Sequence, residues 1–256
     1  MIGLISGTSE GKEILSLLNK YTGNILVSTA TEYGGELLKT YKYKLLNNKP
    51  LDVQEMKKLF KDNNVNILID ASHPYAVEVS KNSMKICEEL NIEYIRYERE
   101  SVIDKFLNED RIIEVSSYEE LYEKLKNLQG TILNTTGSRN LDRILSLGLN
   151  NRIIHRVLPS LKVMEECYAL GVKLDDLIAI KGPISYELNR AFIKEYNAKG
   201  ILLKDSGPEG GTEEKIKAAL DEGIYVFVID RKKINYNKVF YNKNELVNYI
   251  INLSKI

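Results

Sequence analysis

Tryptophan is absent from this chain, and cysteine and histidine occur only twice each among its 256 residues. Those scarcities remove whole classes of function. Cys87 and Cys167 fall inside expected helices, with no partner at metal-ligand or CxxC spacing, so neither a disulfide framework nor a zinc site is expected. His73 and His155 lie on separate elements, and no metal set is expected from so few ligands. No GxSxG elbow occurs, and adjacency of Ser72 and His73 in sequence says nothing of their geometry, so nucleophilic catalysis is poorly supported. Lys plus Arg total 36 and Asp plus Glu total 36. That balance leaves no net positive charge to attract a nucleic acid or an anionic membrane, and neither is expected as a partner. No apolar run approaches the roughly 18 residues of a membrane span. The opening Met1-Ile2-Gly3-Leu4-Ile5 carries no basic region or cleavage signature. A cytoplasmic protein, monomeric or a small homo-oligomer, is the expectation.

What the chain does contain is a regular alternation of short, branched apolar runs with amphipathic stretches. Its centre is Asn66-Ile67-Leu68-Ile69-Asp70-Ala71-Ser72-His73-Pro74-Tyr75-Ala76, where a run suited to a doubly covered parallel strand stops in small and polar residues. A helix is expected to begin at Pro74, whose missing N–H would be unpaired there anyway. Strands are expected at residues 2–6, 24–30, 65–69 and 92–96, with helices carrying Ile14, Leu15, Leu17 and Leu18, then Val53, Met56, Leu59 and Phe60, then Val77 to Leu90. Gly34-Gly35 precedes a further short helical stretch. The alternation breaks at residues 99–111 and then restarts, with strands at 131–134, 152–157, 177–181, 201–204 and 225–229. This predicts an α/β fold of two Rossmann-like, doubly wound parallel sheets, residues 1–100 and 101–256, with a cleft between them for a ligand.

In such sheets ligands bind at the carboxyl ends of strands, which directs attention to the turns. Gly7-Thr8-Ser9-Glu10-Gly11 links a strand to a helix and can present backbone N–H groups to an anion, or it can simply permit a tight turn. Ser28 and Thr29 end the second strand. Asp70, Ser72 and His73 end the third, as chemistry or as helix caps. Thr136-Gly137-Ser138-Arg139 repeats the first turn, and Lys181-Gly182-Pro183 parallels the junction at Pro74. The densest cluster is Lys204-Asp205-Ser206-Gly207-Pro208-Glu209-Gly210-Gly211-Thr212, with Lys215 beyond it. It reads as an anion cradle lacking the order of a P-loop, or as a surface turn capped by Thr212. His155, in mid-strand, reads as structural.

Ser6-Gly7-Thr8-Ser9-Glu10, Asp70-Ala71-Ser72-His73-Pro74-Tyr75-Ala76, Thr136-Gly137-Ser138-Arg139, Lys181-Gly182-Pro183 and the stretch from Lys204 to Gly211 together resemble the precorrin-6A reductases of cobalamin biosynthesis. Order and spacing match along nearly the whole chain. Ser6 departs from the family's usual Gly, and Pro208-Glu209 interrupts its Ser-Gly-Gly core. The resemblance implies NADH or NADPH as cofactor and hydride transfer to one double bond of a ring-contracted tetrapyrrole, precorrin-6A or its cobalt form. It further implies that Arg139, Lys181 and Lys204 orient the ring's carboxylates. The coenzyme would then use Gly7, Thr8, Ser9 and Glu10 or Ser206, Gly207, Gly210, Gly211 and Thr212, with Thr136, Gly137, Ser138 and Ser72 in support. Ser28 and Thr29 would meet its ribose, and His73 would line the nicotinamide or donate a proton. Two other readings stand beside it: a non-catalytic dinucleotide-binding or sensing module, and an S-adenosylmethionine-dependent transferase.

Overall fold

The computed structural model describes residues 1–106 and 108–254. The chain forms two compact units, Met1–Arg99 with Lys233–Ile256, and Glu100–Lys232. In the first unit the order is β1 (Ile2–Ser6), α1 (Ser9–Leu18), β2 (Ile25–Ser28), α2 (Glu32–Glu36), β3 (Leu45–Asn47), α3 (Val53–Asp62), β4 (Ile67–Ala71), α4 (Val77–Leu90) and β5 (Glu93–Tyr97). The second unit holds β6 (Ile112–Val115), α5 (Tyr118–Leu125), β7 (Thr131–Asn134), α6 (Leu141–Ser146), β8 (Ile153–Val157), α7 (Leu161–Ala169), β9 (Leu177–Ala179), α8 (Tyr186–Glu195), β10 (Ala198–Lys204), α9 (Thr212–Asp221) and β11 (Tyr225–Ile229). The chain then returns to the first unit as β12 (Val239–Phe240) and α10 (Lys243–Ser254).

Each unit is built on one six-stranded sheet, ordered β12-β5-β4-β1-β2-β3 in the first and β6-β11-β10-β7-β8-β9 in the second. All pairings are parallel. Relative to its own first central strand, each sheet runs 3-2-1-4-5, and the sixth strand differs in origin. In the first unit it comes from the end of the chain, and in the second it precedes the others. A division at residue 100 that keeps 101–256 together therefore misplaces β12, which pairs with β5 through Val239 and Phe240.

Apolar residues alternate strictly between faces because strand side chains do. Ile67 and Ile69 of β4 pack with Ile14, Leu15 and Leu18 of α1 and Leu246 and Ile250 of α10. Leu68 points the other way, to Met56 and Phe60 of α3 and Ile86 of α4. In the second unit Ile201 and Leu203 of β10 join Ile193 of α8 and Ile216 of α9, while Leu141 of α6 and Cys167 of α7 pack on the opposite face with Val157. Both sheets are thus doubly wound, and both cysteines are free and buried.

Two local expectations change. Helix α4 begins at Val77 with Ala76 as its N-cap, not at Pro74. Pro74 and Tyr75 form a preceding turn, in which the Ala76 N–H donates to the His73 carbonyl at 2.7 Å. Gly34 and Gly35 lie inside α2, whose N-cap Thr31 accepts from the Gly34 N–H.

Gly11 lets α1 approach the end of β1. A Cβ there would lie 2.2 Å from Ser6 Oγ and 3.1 Å from Ser6 Cα. Gly11→Ala is therefore expected to cost about 1–3 kcal/mol through overpacking, read as a lower urea midpoint. An unchanged midpoint would mean that α1 is not held at this distance.

Candidate functional site

Both sheets reverse direction of strand order between two central strands, and the crevice outside such a switch point is where α/β sheets bind ligands. In the first unit the switch lies between β1 and β4, and in the second between β7 and β10. The loops leaving those four strands carry most of the residues singled out above.

At the first switch point, β4 ends in Asp70, which has no exposed surface. Its carboxylate accepts the Ser72 N–H at 2.9 Å, the Ser80 hydroxyl at 2.6 Å and the Tyr94 hydroxyl at 2.6 Å, and pairs with Arg96 Nη1 at 2.9 Å. Burial alone would raise its pKa, but the Arg96 charge and these hydrogen bonds outweigh it and hold the carboxyl below its ordinary value. Arg96 Nη1 also donates to Ser72 Oγ at 2.9 Å, and its Nε and Nη2 reach Glu98 at 3.1 and 3.0 Å. Tyr236, from the returning segment, lies under the Arg96 guanidinium at 5.4 Å and stacks on Tyr94. This network fixes the backbone that presents His73.

The His73 ring accepts the Tyr75 N–H at Nδ1, 3.3 Å away. The neutral imidazole therefore carries its proton on Nε2, as a donor. Gly7 adjoins this loop, since a Cβ on it would meet Ser72 Cα and His73 N at 3.7 Å. Thr8 Oγ1 donates to the Ala71 carbonyl at 3.3 Å.

Several residues expected to touch a ligand at this end have partners within the fold. Glu10 is buried and pairs with Arg99, whose Nη2 donates to Oε2 at 2.7 Å and whose Nε faces Oε1. Burial pushes Glu10 up, but hydrogen bonding and charge from Arg99 bring its pKa below the ordinary value. The N-terminus of α1 thus already holds a carboxylate, its charge balanced by Arg99. Ser28 and Thr29 are buried; Ser28 Oγ accepts from Asn47, and Thr29 Oγ1 donates to the Thr31 carbonyl.

The second switch point is cationic. Lys204 ends β10 and donates from Nζ to the Thr136 carbonyl at 3.2 Å. Burial first, and then the Arg139 charge, lower its pKa to about 8. Asn134, at the end of β7, turns the chain by accepting both the N–H and the hydroxyl of Thr136, at 3.0 and 2.8 Å. Its amide also contacts His155 Nδ1 at 3.0 Å, and burial lowers His155 to about 4, a structural neutral imidazole. Gly137, with φ of +82°, has no neighbour within 4 Å of a built Cβ, so its turn faces open space.

The loop after β10 is folded by its own residues. Thr212 Oγ1 accepts the Ser206 N–H at 3.1 Å, and Asp205 accepts the Gly207 N–H at 3.2 Å and pairs with Arg231. Gly207 and Gly211 are left-handed, at φ of +75° and +64°, where a side chain would be strained. Ser206 and Gly210 stay partly accessible, whereas Gly207, Gly211 and Thr212 are buried. Ser138 is partly accessible, and Arg139 and Lys181 are exposed.

Residues that the motifs did not single out complete the picture: Tyr94, Arg96, Glu98, Arg99 and Tyr236 in the first unit, Asn134 and Arg156 in the second. Arg96 offered one signal, a charge at the penultimate position of β5, in its buried half. Among the described residues no group of His, Cys, Asp and Glu is placed to hold a metal, and no helix is long and apolar enough to cross a membrane.

Three comparisons bear on this geometry. The protein family described as "Precorrin-6x reductase CbiJ/CobK" matches residues 1–251. Cobalt-precorrin-6A reductase of Methanocaldococcus jannaschii is 37% identical over 254 residues, 98% of each chain. The enzyme of that name from Priestia megaterium is 33% identical over 259 residues, 100% of each. Among solved structures, "CobK precorrin-6A reductase" superposes with a TM-score of 0.77 at 17% identity, covering 98% of this chain and 96% of its own. That likeness concerns the fold.

Arg96→Met should cost about 3–5 kcal/mol, the price of a buried carboxylate left without its cation. Because Asp70's folded pKa is depressed, its stabilisation is full above the ordinary value of 3.8 and is lost as pH falls below that toward the folded pKa. Asp70→Asn is expected to flatten the acid limb of a stability-against-pH curve. An acid limb of unchanged slope would contradict the pairing.

Proposed function

The chain belongs to the precorrin-6x reductase CbiJ/CobK family, and we propose that it reduces one ring double bond of cobalt-precorrin-6A or precorrin-6A with hydride from NADH or NADPH. The observation that carries the assignment of parts is the electrostatic contrast between the two switch points. One presents His73 beside a charge-balanced turn, and the other presents Lys204 and Arg139 beside the open turn at Gly137.

A dihydronicotinamide supplies the hydride, so the protein's task is alignment and exclusion of water rather than bond-breaking chemistry of its own. The reduction consumes one hydride and one proton, leaving oxidised coenzyme and a ring with one double bond fewer. The accessible residues Thr136, Gly137, Ser138, Ser206 and Gly210 fit phosphate, because glycine lets an anion reach the backbone. Lys204, Arg139 and Lys181 orient oxyanions of coenzyme or ring, cations being suited to the acetate and propionate edges of such a substrate. His73, with its proton on Nε2, lines the reacting face and donates a hydrogen bond there. The turn at Gly7, Thr8 and Ser9 packs against the His73 loop and holds it. Glu10, Ser28, Thr29, Ser72 and Thr212 act behind these residues, by fixing the turns.

The test is loss of dihydronicotinamide absorbance, without oxygen, when the protein meets NADH or NADPH and either ring. Oxidation that needs both coenzyme and ring is expected; coenzyme bound but never oxidised would instead favour the sensing module. Lys204 gives a second readout. Its charge is lost as pH rises through about 8, so affinity for the anionic ligand should fall across that range. Lys204→Met should abolish this step and weaken binding about tenfold, the worth of one charged hydrogen bond. A pH step that survives the substitution would remove Lys204 from the site.

A further inference from the structure

Two cations in the second unit have no role in the assignments above. Arg156, next to the end of β8, is 8% exposed, and Lys215, in the first turn of α9, is 6% exposed. Neither forms an ion pair with a carboxylate among the described residues. Arg156 Nη1 donates to Asn189 Oδ1 at 2.8 Å, and Lys215 Nζ donates to the Gly210 carbonyl at 2.9 Å. Asn189 is locked by its own amide, which donates to the carbonyls of Ile184 and Ser185 at 3.3 and 2.8 Å.

The two side chains belong to one corner of the fold. Pro183, just before Ile184, lies 3.0 Å from where a Cβ on Gly211 would stand, so the loops after β9 and β10 touch there. After burial, the Arg156 charge is the main influence lowering Lys215, to about 7, while Glu214 and Asp205 act more weakly in the other direction. Burial alone lowers Arg156, to about 10. Charged groups almost never stay buried unless paired. Yet no atom of either side chain is among the sealed polar atoms that lack a partner. The unused N–H groups of Arg156 therefore reach solvent, in the planar fork that matches a carboxylate or phosphate.

We propose that Arg156 and Lys215 form a built oxyanion subsite beneath the Gly210-Gly211 turn, with Asn189 holding the guanidinium in register. The subsite rests on the reductase reading for its ligand, which is a phosphate of the coenzyme or a peripheral carboxylate of the ring. Both sources present the same oxygens to the fork. Arrival of the anion neutralises two buried charges that otherwise repel.

The experiment is calorimetric titration of wild type, Arg156→Met and Lys215→Met with NADH, NADPH, cobalt-precorrin-6A and inorganic pyrophosphate. At least one ligand should weaken about tenfold or more, with no fall in the thermal midpoint, because each substitution removes a buried like charge. Equal loss for both coenzymes identifies the pyrophosphate, loss for NADPH alone the 2′-phosphate, and loss for the ring alone a carboxylate. Arg156→Lys, which keeps the charge without the fork, should lose affinity for the same ligand and serves if Arg156→Met does not fold. Unchanged binding of all four ligands in the substituted proteins would overturn the subsite. If wild type bound pyrophosphate through Arg156 but neither coenzyme nor ring, the reductase reading would fall and the subsite would stand.

Discussion

The ion pair between Asp70 and Arg96 is the constraint on which the first unit depends. A carboxylate with no exposed surface sits at the end of a central strand, and it is tolerable there only because a guanidinium and three hydrogen bonds meet it. Those partners come from the His73 loop, from α4 and from β5, so satisfying one charge ties three elements together. The returning segment closes the arrangement from outside. Lys238 accepts the Arg96 N–H at 2.9 Å, and Tyr236 covers the guanidinium. The last stretch of the chain is thus part of the structure that holds the motif in place.

The second unit repeats the strand order and inverts the electrostatics. At the first switch point buried charges are paired: Asp70 with Arg96, Glu10 with Arg99. At the second, Lys204 is pushed down by burial and by Arg139. The second unit also pairs one buried carboxylate, Asp205 with Arg231, and adds Arg156 and Lys215, which form no ion pair among the described residues. Such a division suits a reaction in which a hydride passes between two strongly anionic molecules. The charged parts need cations, whereas the reacting atoms need a fixed, dry surface.

Much of this was legible in the residues. Strands β1, β4, β7 and β11 stand out because both faces are covered and their apolar runs are continuous. The glycine turns fall at the carboxyl ends of β1, β7 and β10, as the alternation predicts. What escaped has physical reasons. β12 is two residues long, follows a polar stretch, and gains its identity only by pairing with β5. β3 and β6 are short edge strands with partly exposed faces. Pro74 fits a helix start by local chemistry, yet the turn from His73 to Ala76 takes precedence because Asp70 anchors the loop. The roles of Tyr94, Arg96 and Tyr236 are three-dimensional, since residues far apart in sequence share one carboxylate. Glu10 shows the converse: it sits in the motif, but its partner is an arginine 89 residues away.

The central claim is transfer of a hydride from a nicotinamide to the tetrapyrrole on this chain. It is tested most directly with coenzyme carrying deuterium at the transferring position of the dihydronicotinamide. A single turnover under exclusion of oxygen is followed by mass measurement of the ring product. The account predicts a reduced ring that has gained one deuterium, with the label lost from the coenzyme. A reduced ring without deuterium from either label position, or a coenzyme that keeps its label while the ring is unchanged, would contradict it.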